Sequence, residues 1–216
     1  AFHDVDLVPN VLAGVENIDM SVKVMGYELG LPIFCSPTAL QRLFHHQGER
    51  AVAKAAEKFN TLFGVSSLGT VKLKDIDEMI NTPKMFQFYF HKDRGLNDSM
   101  IVMAKEANFE ILTLTVDTIT GGNRERDLRT GFTTPPKLTP KSIFQFGIKP
   151  AWALNYLFRE KFELSQLSSH VNEGTNIAIS VGDYFTTMLD QSMTWDEVIK
   201  LKDCLLYTSP SPRDAT

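Results

Sequence analysis

The sequence predicts an α/β fold, about strands 1–4 of an incomplete TIM (β/α)8 barrel with a long loop after strand 4. Three observations lead there. Short apolar runs of strand length alternate with Ala-rich or charged segments of helical spacing, the order expected of parallel βα units with right-handed crossovers. From residue 121 that alternation gives way to a polar, Gly/Pro-rich stretch. The chain has 216 residues, short of the roughly 250 a full barrel needs.

The elements follow in order. Residues 31–36 (LPIFCS) are an apolar run expected to form the first, buried strand. Residues 48–58 (GERAVAKAAEK) have helical spacing, and 61–66 form the second strand. A short helix is expected over 73–80 and a third strand over 85–90 (MFQFYF), in which Gln87 and Tyr89 alternate with apolar neighbours. A helix over 96–107 and a fourth strand over 110–117 (EILTLTVD) complete the regular part. Before the helix expected at 194–202 lies a connection too long for a compact α/β unit, which reads as an elaborated active-site loop. Within it, 143–158 (IFQFGIKPAWALNYLF) concentrates aromatics around Trp152 and Tyr156. It is either a short helix capping the core or a segment facing a membrane surface or partner.

Composition narrows the function classes. A hydrophobic share of 43% and a charged share of 22% suit a buried core and exclude collagen, a disulfide scaffold and wholesale disorder. The 22 basic and 26 acidic side chains give a net charge of −4, so no basic field exists for nucleic acid. Cys35 and Cys204 are far apart and form neither a disulfide framework nor a metal-spacing signature, so no metal is expected. With no secretory signal pattern and no apolar window of spanning length, the expected location is cytoplasmic. The absence of an initiator Met suggests a start further upstream. Residues 204–216 (CLLYTSPSPRDAT) replace an expected fifth strand and resemble a translated sequencing-library adapter. They are expected to be non-native, leaving a domain over 1–203.

In parallel barrels the chemistry sits at the C-terminal ends of the strands. The residues at those ends are Ser36, Pro37, Thr38 and Ala39, then Ser66 and Ser67, then Gln87 and Tyr89, then Thr115 and Asp117, with Arg124 in the next loop. Hydroxyls and amides on successive strands can pair with the edge of a flat heteroaromatic cofactor. Singly, a strand-end Ser or Thr is a helix cap more often than a ligand, and Gln87 and Tyr89 also read as an interior pair satisfied by neighbours.

Four stretches, PTALQRLFHHQGE, GVSSLG, FQFYFHKDR and TLTVDTITGGNRERD, in this order and spacing, resemble the FMN-dependent 2-hydroxy acid dehydrogenase/oxidase family. The resemblance is close over about 1–132 and loose over 133–203. It implies FMN as cofactor and oxidation of an (S)-2-hydroxy acid, lactate first among them, to the 2-oxo acid. Pro37, Thr38 and Ala39 would lie along the flavin, and Ser66, Gln87 and Thr115 would hydrogen-bond its ring. Tyr89 would touch the substrate, Asp117 would orient the catalytic histidine, and Arg124 would bind the substrate carboxylate. Quinone or oxygen would be the electron acceptor. The full-length protein would be a homo-oligomer, with peripheral contact to the inner face of the cell membrane through 143–158.

Departures from the family pattern are Asn10, where arginine is usual, and Ile119, in place of a common proline. The family's strand-five lysine, its His-x-x-Arg pair and its phosphate site would all fall beyond residue 203. None of His3, His45, His46, His91 and His170 matches the family base; His45 and His46 are expected at the surface and His91 in a structural role. The 216-residue chain is therefore expected to bind FMN weakly and to be inactive alone. The alternatives are another FMN barrel resembling type 2 isopentenyl diphosphate isomerase, or a non-catalytic half-barrel or membrane-surface module.

Overall fold

The structure is a computed structural model that describes residues 2–6, 8, 10–14, 16–117, 125–130, 139–160, 163–167 and 187–204. An antiparallel hairpin comes first, Val22–Val24 (β1) and Tyr27–Leu29 (β2). It turns on Met25 and Gly26, both at positive φ, as a tight two-residue loop requires. Two helices follow, Gln41–Phe44 (α1) and Glu49–Lys58 (α2). Three parallel strands then form one sheet in chain order: Phe63–Ser66 (β3), Lys84–Tyr89 (β4) and Ile111–Thr115 (β5). Between them run Leu73–Asp77 (α3) and Arg94–Glu106 (α4). These are the expected βα units.

The register sorts the sheet into two faces, because side chains alternate along each strand. Phe63, Val65, Phe86 and Phe88 pack under the helices against Ala53, Ala56, Ile76, Ile80, Leu96 and Met100, all buried. The opposite face carries Gly64 and Ser66 on β3, Met85, Gln87 and Tyr89 on β4, and Ile111, Thr113 and Thr115 on β5. Its lower end is closed by apolar packing of Leu29 against Leu62, Met85 and Ile111, with Val22, Val24 and Tyr27 around it. The hairpin thus plugs the base of this face, and the polar residues stand at the C-terminal end. Helix α4 starts where the Asp93 side chain accepts from the Leu96 N–H at 3.3 Å, a cap that stabilises by about 1 kcal/mol. Asn60 and Asn108 adopt positive φ beyond α2 and α4, which turns the chain back towards the sheet.

The first expected strand, 31–36, is shorter than its apolar run suggests. Only Cys35 bridges Phe63: its N–H donates to the Leu62 carbonyl at 3.0 Å and its carbonyl accepts from Gly64 at 2.8 Å. Pro37, two residues on, has no N–H to donate towards β3, so the ladder cannot lengthen in that direction. Likewise β5 ends at Thr115 and does not reach 117.

Past Glu125–Thr130 (α5), the 143–158 segment is two helices, Pro140–Gly147 (α6) and Pro150–Phe158 (α7). Prolines at both helix starts set the break, and Thr139 and Ser142 cap α6 reciprocally. Helix α7 buries no residue fully, although Trp152 and Ala153 are half-buried. Residues 187–192 return to the sheet: His91 bridges Leu189, Lys92 N–H donates to Met188 and Asp190 N–H donates to Phe90, both at 2.9 Å. The last helix, Trp195–Cys204 (α8), is capped through Thr194 and Glu197. Residues 205–216 lie outside the described residues. Among those described, no helix is long and apolar enough to cross a membrane.

Candidate functional site

Three of the sequence-derived candidates meet across three strands. The Ser66 hydroxyl donates to Gln87 Oε1 at 3.0 Å, and Gln87 Nε2 donates to Thr115 Oγ1 at 2.8 Å. Ser66 Oγ also accepts from the Leu68 N–H at 3.2 Å, which holds the β3 exit against the strand end. Ser66 and Gln87 are buried, whereas Thr115 is half-buried. These contacts orient the carboxamide and fix its acceptor on the β3 side and its donor on the β5 side. Thr115, which accepts from Gln87, retains its own O–H to donate outward. Tyr89 is paired in register with Thr115 and shares this face. Asp117 lies two residues past β5 and is exposed. Arg124 lies outside the described residues.

The 37–39 segment lies over β3. A Cβ on Gly64 would sit 2.7 Å from Pro37 Cδ and 2.9 Å from Pro37 N, so only glycine lets the backbone approach this closely. Thr38 is exposed, with its hydroxyl 3.4 Å from the Ser36 carbonyl, and Ala39 is half-buried. Leu40, next in the chain, holds φ at 60°, a left-handed conformation that costs a non-glycine residue about 1–3 kcal/mol. Its N–H donates to the Leu68 carbonyl at 3.1 Å, which ties this strained corner to the β3 exit. The segment therefore borders the same face as Gln87, carried there by chain geometry.

Several residues supporting this end went unread in the sequence. Glu49 is fully buried and accepts from Thr70 N–H at 2.7 Å and Thr70 Oγ at 2.6 Å, anchoring the β3–α3 loop to α2. The GE pair opening an Ala-rich helix was a usable signal for a first-turn acid, but its distant partner Thr70 was invisible. Gln166, also buried, donates to the Val71 carbonyl at 2.8 Å and fastens the distal segment to the same loop. His91 is structural, as expected. It is buried, its ring Nδ1 lies 3.2 Å from Asn97 Oδ1, and burial lowers its pKa to about 4. His45 and His46 lie between α1 and α2. No cluster able to hold a metal occurs among the described residues.

The model of the FMN-dependent dehydrogenase family covers residues 1–206. The chain belongs to the FMN-dependent dehydrogenase family.

Among relatives, spinach (Spinacia oleracea) glycolate oxidase is 30% identical over 94% of this chain and 49% of its own length. A 2-hydroxyacid oxidase of Dictyostelium discoideum is 32% identical over 94% of this chain and 46% of its own. An (S)-mandelate dehydrogenase, described as a monotopic membrane protein, shares the fold with a TM-score of 0.81 at 24% identity, over 93% of this chain and 52% of its own. A lactate oxidase of Pediococcus acidilactici gives a TM-score of 0.58 at 32% identity, over 68% of this chain and 41% of its own. This FMN-dependent dehydrogenase chain thus spans about half the length of the relatives it matches, with part of a flavoenzyme barrel as an open sheet.

Proposed function

We propose that this chain is part of an enzyme that oxidises an (S)-2-hydroxy acid, lactate foremost, to its 2-oxo acid with FMN. The observation that supports this most is the Ser66–Gln87–Thr115 string on three adjacent strands. An alternating series of donors and acceptors at the rim of a flat face suits the polar edge of a flavin ring. The close approach of Pro37 to Gly64 provides an apolar wall beside it. FMN, when bound, supplies the hydride acceptor; the protein supplies binding, orientation and proton handling.

In this reading Ser66, Gln87 and Thr115 hold the ring, with Pro37, Thr38 and Ala39 along it. The Tyr89 phenol hydrogen-bonds the substrate. The Asp117 carboxylate orients and stabilises a charged histidine, supplied from outside residues 1–203, as it takes the hydroxyl proton. The Arg124 guanidinium pairs with the substrate carboxylate through its two-pronged fork. In this reading the histidine and the phosphate site come from beyond residue 203, and the 216-residue chain by itself binds FMN weakly and does not turn over.

Helices α6 and α7 and the turn between them expose Phe144, Ile148, Leu154, Leu157 and Phe158. This apolar display supports peripheral attachment to the inner face of the cell membrane, where a quinone would accept the electrons. The deciding experiment is recovery of the complete reading frame and expression of its product. Visible flavin absorbance, and dye reduction with (S)-lactate exceeding that with glycolate and (S)-mandelate, are expected. A product that binds no flavin refutes the reading, and a reversed substrate order refutes the lactate assignment.

A further inference from the structure

The end of α7 meets α1 and the start of α2 in a groove lined by Arg42, His46, Arg50, Phe158, Arg159 and Glu160. We propose that this groove binds the phosphate headgroup of an anionic phospholipid, with Arg42, Arg50 and Arg159 as its cationic groups and Glu160 as the resident counter-ion. The proposal rests on the membrane attachment of the α6–α7 pair and names the lipid class that pair meets.

Four features support it. The Arg42 side chain is only 8% exposed, and its Nε has no hydrogen-bond partner among the described residues. A buried guanidinium nitrogen without an acceptor is costly, and a second anion oxygen in the groove would relieve it. Its Nη2 lies 2.7 Å from the Glu160 carbonyl and 3.3 Å from Glu160 Oε2. Arg50 Nη1 donates to the same carboxylate oxygen at 2.8 Å, while its Nη2 only approaches Asp75, at 3.9 Å. One carboxylate oxygen thus sits between two arginines, the geometry that a phosphate oxygen also satisfies.

Glu160 is 63% exposed, so solvent can receive it when another anion takes its place. The arginines hold its carboxyl below the usual carboxylate range, as an anion subsite requires. The third feature is adjacency. Phe158, 81% exposed, lines the groove beside Arg159, so an apolar side chain that would enter the acyl region stands next to cations at headgroup depth. Fourth, the Trp152 indole stacks on Tyr156 and donates to the Leu43 carbonyl at 2.8 Å. That bond tethers the apolar helix to α1, so groove and apolar face would engage one surface together.

The test is cosedimentation of the full 216-residue chain with vesicles of phosphatidylcholine alone or mixed with phosphatidylglycerol, and a thermal melt with inorganic phosphate. Circular dichroism verifies that each variant is folded. Binding should favour phosphatidylglycerol and weaken with salt. Arg50→Gln and Arg159→Gln should each weaken it about five-fold. Glu160→Gln, shown folded and shown to stay in the supernatant without vesicles, should strengthen it. Equal binding to both vesicle types, unchanged in the variants, overturns the groove and leaves the apolar attachment standing. Binding to neither vesicle overturns both. Stabilisation by inorganic phosphate without phosphatidylglycerol preference overturns the lipid assignment, because a free anion would then be the ligand.

Discussion

His91 makes the stability of this fold depend on pH in a window that can be worked out in advance. The ring is fully buried where β4 gives way to the 187–192 segment, edge-on to Phe88 and close to Asn97 Oδ1. Burial lowers its pKa from 6.5 to about 4, outweighing the Asn97 hydrogen bond and the Asp93 charge, which act the other way. The folded state therefore keeps His91 neutral down to about pH 4, whereas the unfolded chain takes up a proton near pH 6.5. Between those values the unfolded state binds more protons, so stability is present above about 6.5 and is lost as pH falls. A difference of about 2.5 units, at 1.36 kcal/mol each, gives a loss of roughly 3 kcal/mol by pH 4. With a urea slope of about 1–3 kcal/mol per M, the midpoint should fall by about 1–3 M from this group alone. The assay is urea unfolding of wild type and His91→Gln at several pH values from 7 to 4. Glutamine keeps an amide N–H for Asn97 and has no proton to gain, so its profile should lack the descent between 6.5 and 4.5. Carboxylates such as Asp190 and Glu160, held low by their partners, weaken the fold only at still lower pH and do so in both proteins. Parallel profiles for the two proteins would refute the reasoning.

Further substitutions probe the sheet and the site. Gly64→Ala forces a Cβ to within 2.7 Å of the Pro37 ring, which should cost about 1–3 kcal/mol in thermal melts and weaken flavin binding in the full-length enzyme. Gln87→Ala breaks the string between Ser66 and Thr115, and its flavin dissociation constant in the full-length enzyme should rise about ten-fold, measured by fluorescence quenching. Phe86→Ala empties a fully buried position on the helix-facing side and should destabilise by about 3–5 kcal/mol in urea. Asp77→Ala removes the partner of the buried Lys84 amine at 3.1 Å and should cost about 3–5 kcal/mol by the same assay, whereas Lys84→Met should cost less.

The sheet was legible because its strands are dense apolar runs bounded by polar breaks. MFQFYF puts Phe86 and Phe88 on one face and Gln87 and Tyr89 on the other, and periodicity alone sorts them. The same rule misjudged 31–36, where Pro37 removes the next donor the ladder needs. The β1–β2 hairpin was overlooked although VKVMGYEL carries its signal, because each strand is only three residues long. Of the candidate site, strand-end positions could be read off, but not which side chains bond to which. That Gln87 meets both Ser66 and Thr115 follows from a register set by packing of three separate βα units.

What lies after β5 resisted reading for a different reason. A helix that caps a core and one that faces outward share the same apolar content, and composition cannot choose between them. The choice is made by the partners of its polar atoms. Trp152 Nε1 reaches the Leu43 carbonyl, and the Arg50 guanidinium reaches Glu160, so α7 is pinned at its rim by polar bonds. Its centre buries nothing fully. A core element shows the reverse, buried centres and solvated rims. Exposed apolar area of this kind marks a surface that a partner, a membrane or a further part of a longer chain would cover. Arg42 and Arg50, on the Glu160 carboxylate, lie beside it and carry the proposal of an anionic surface as that cover.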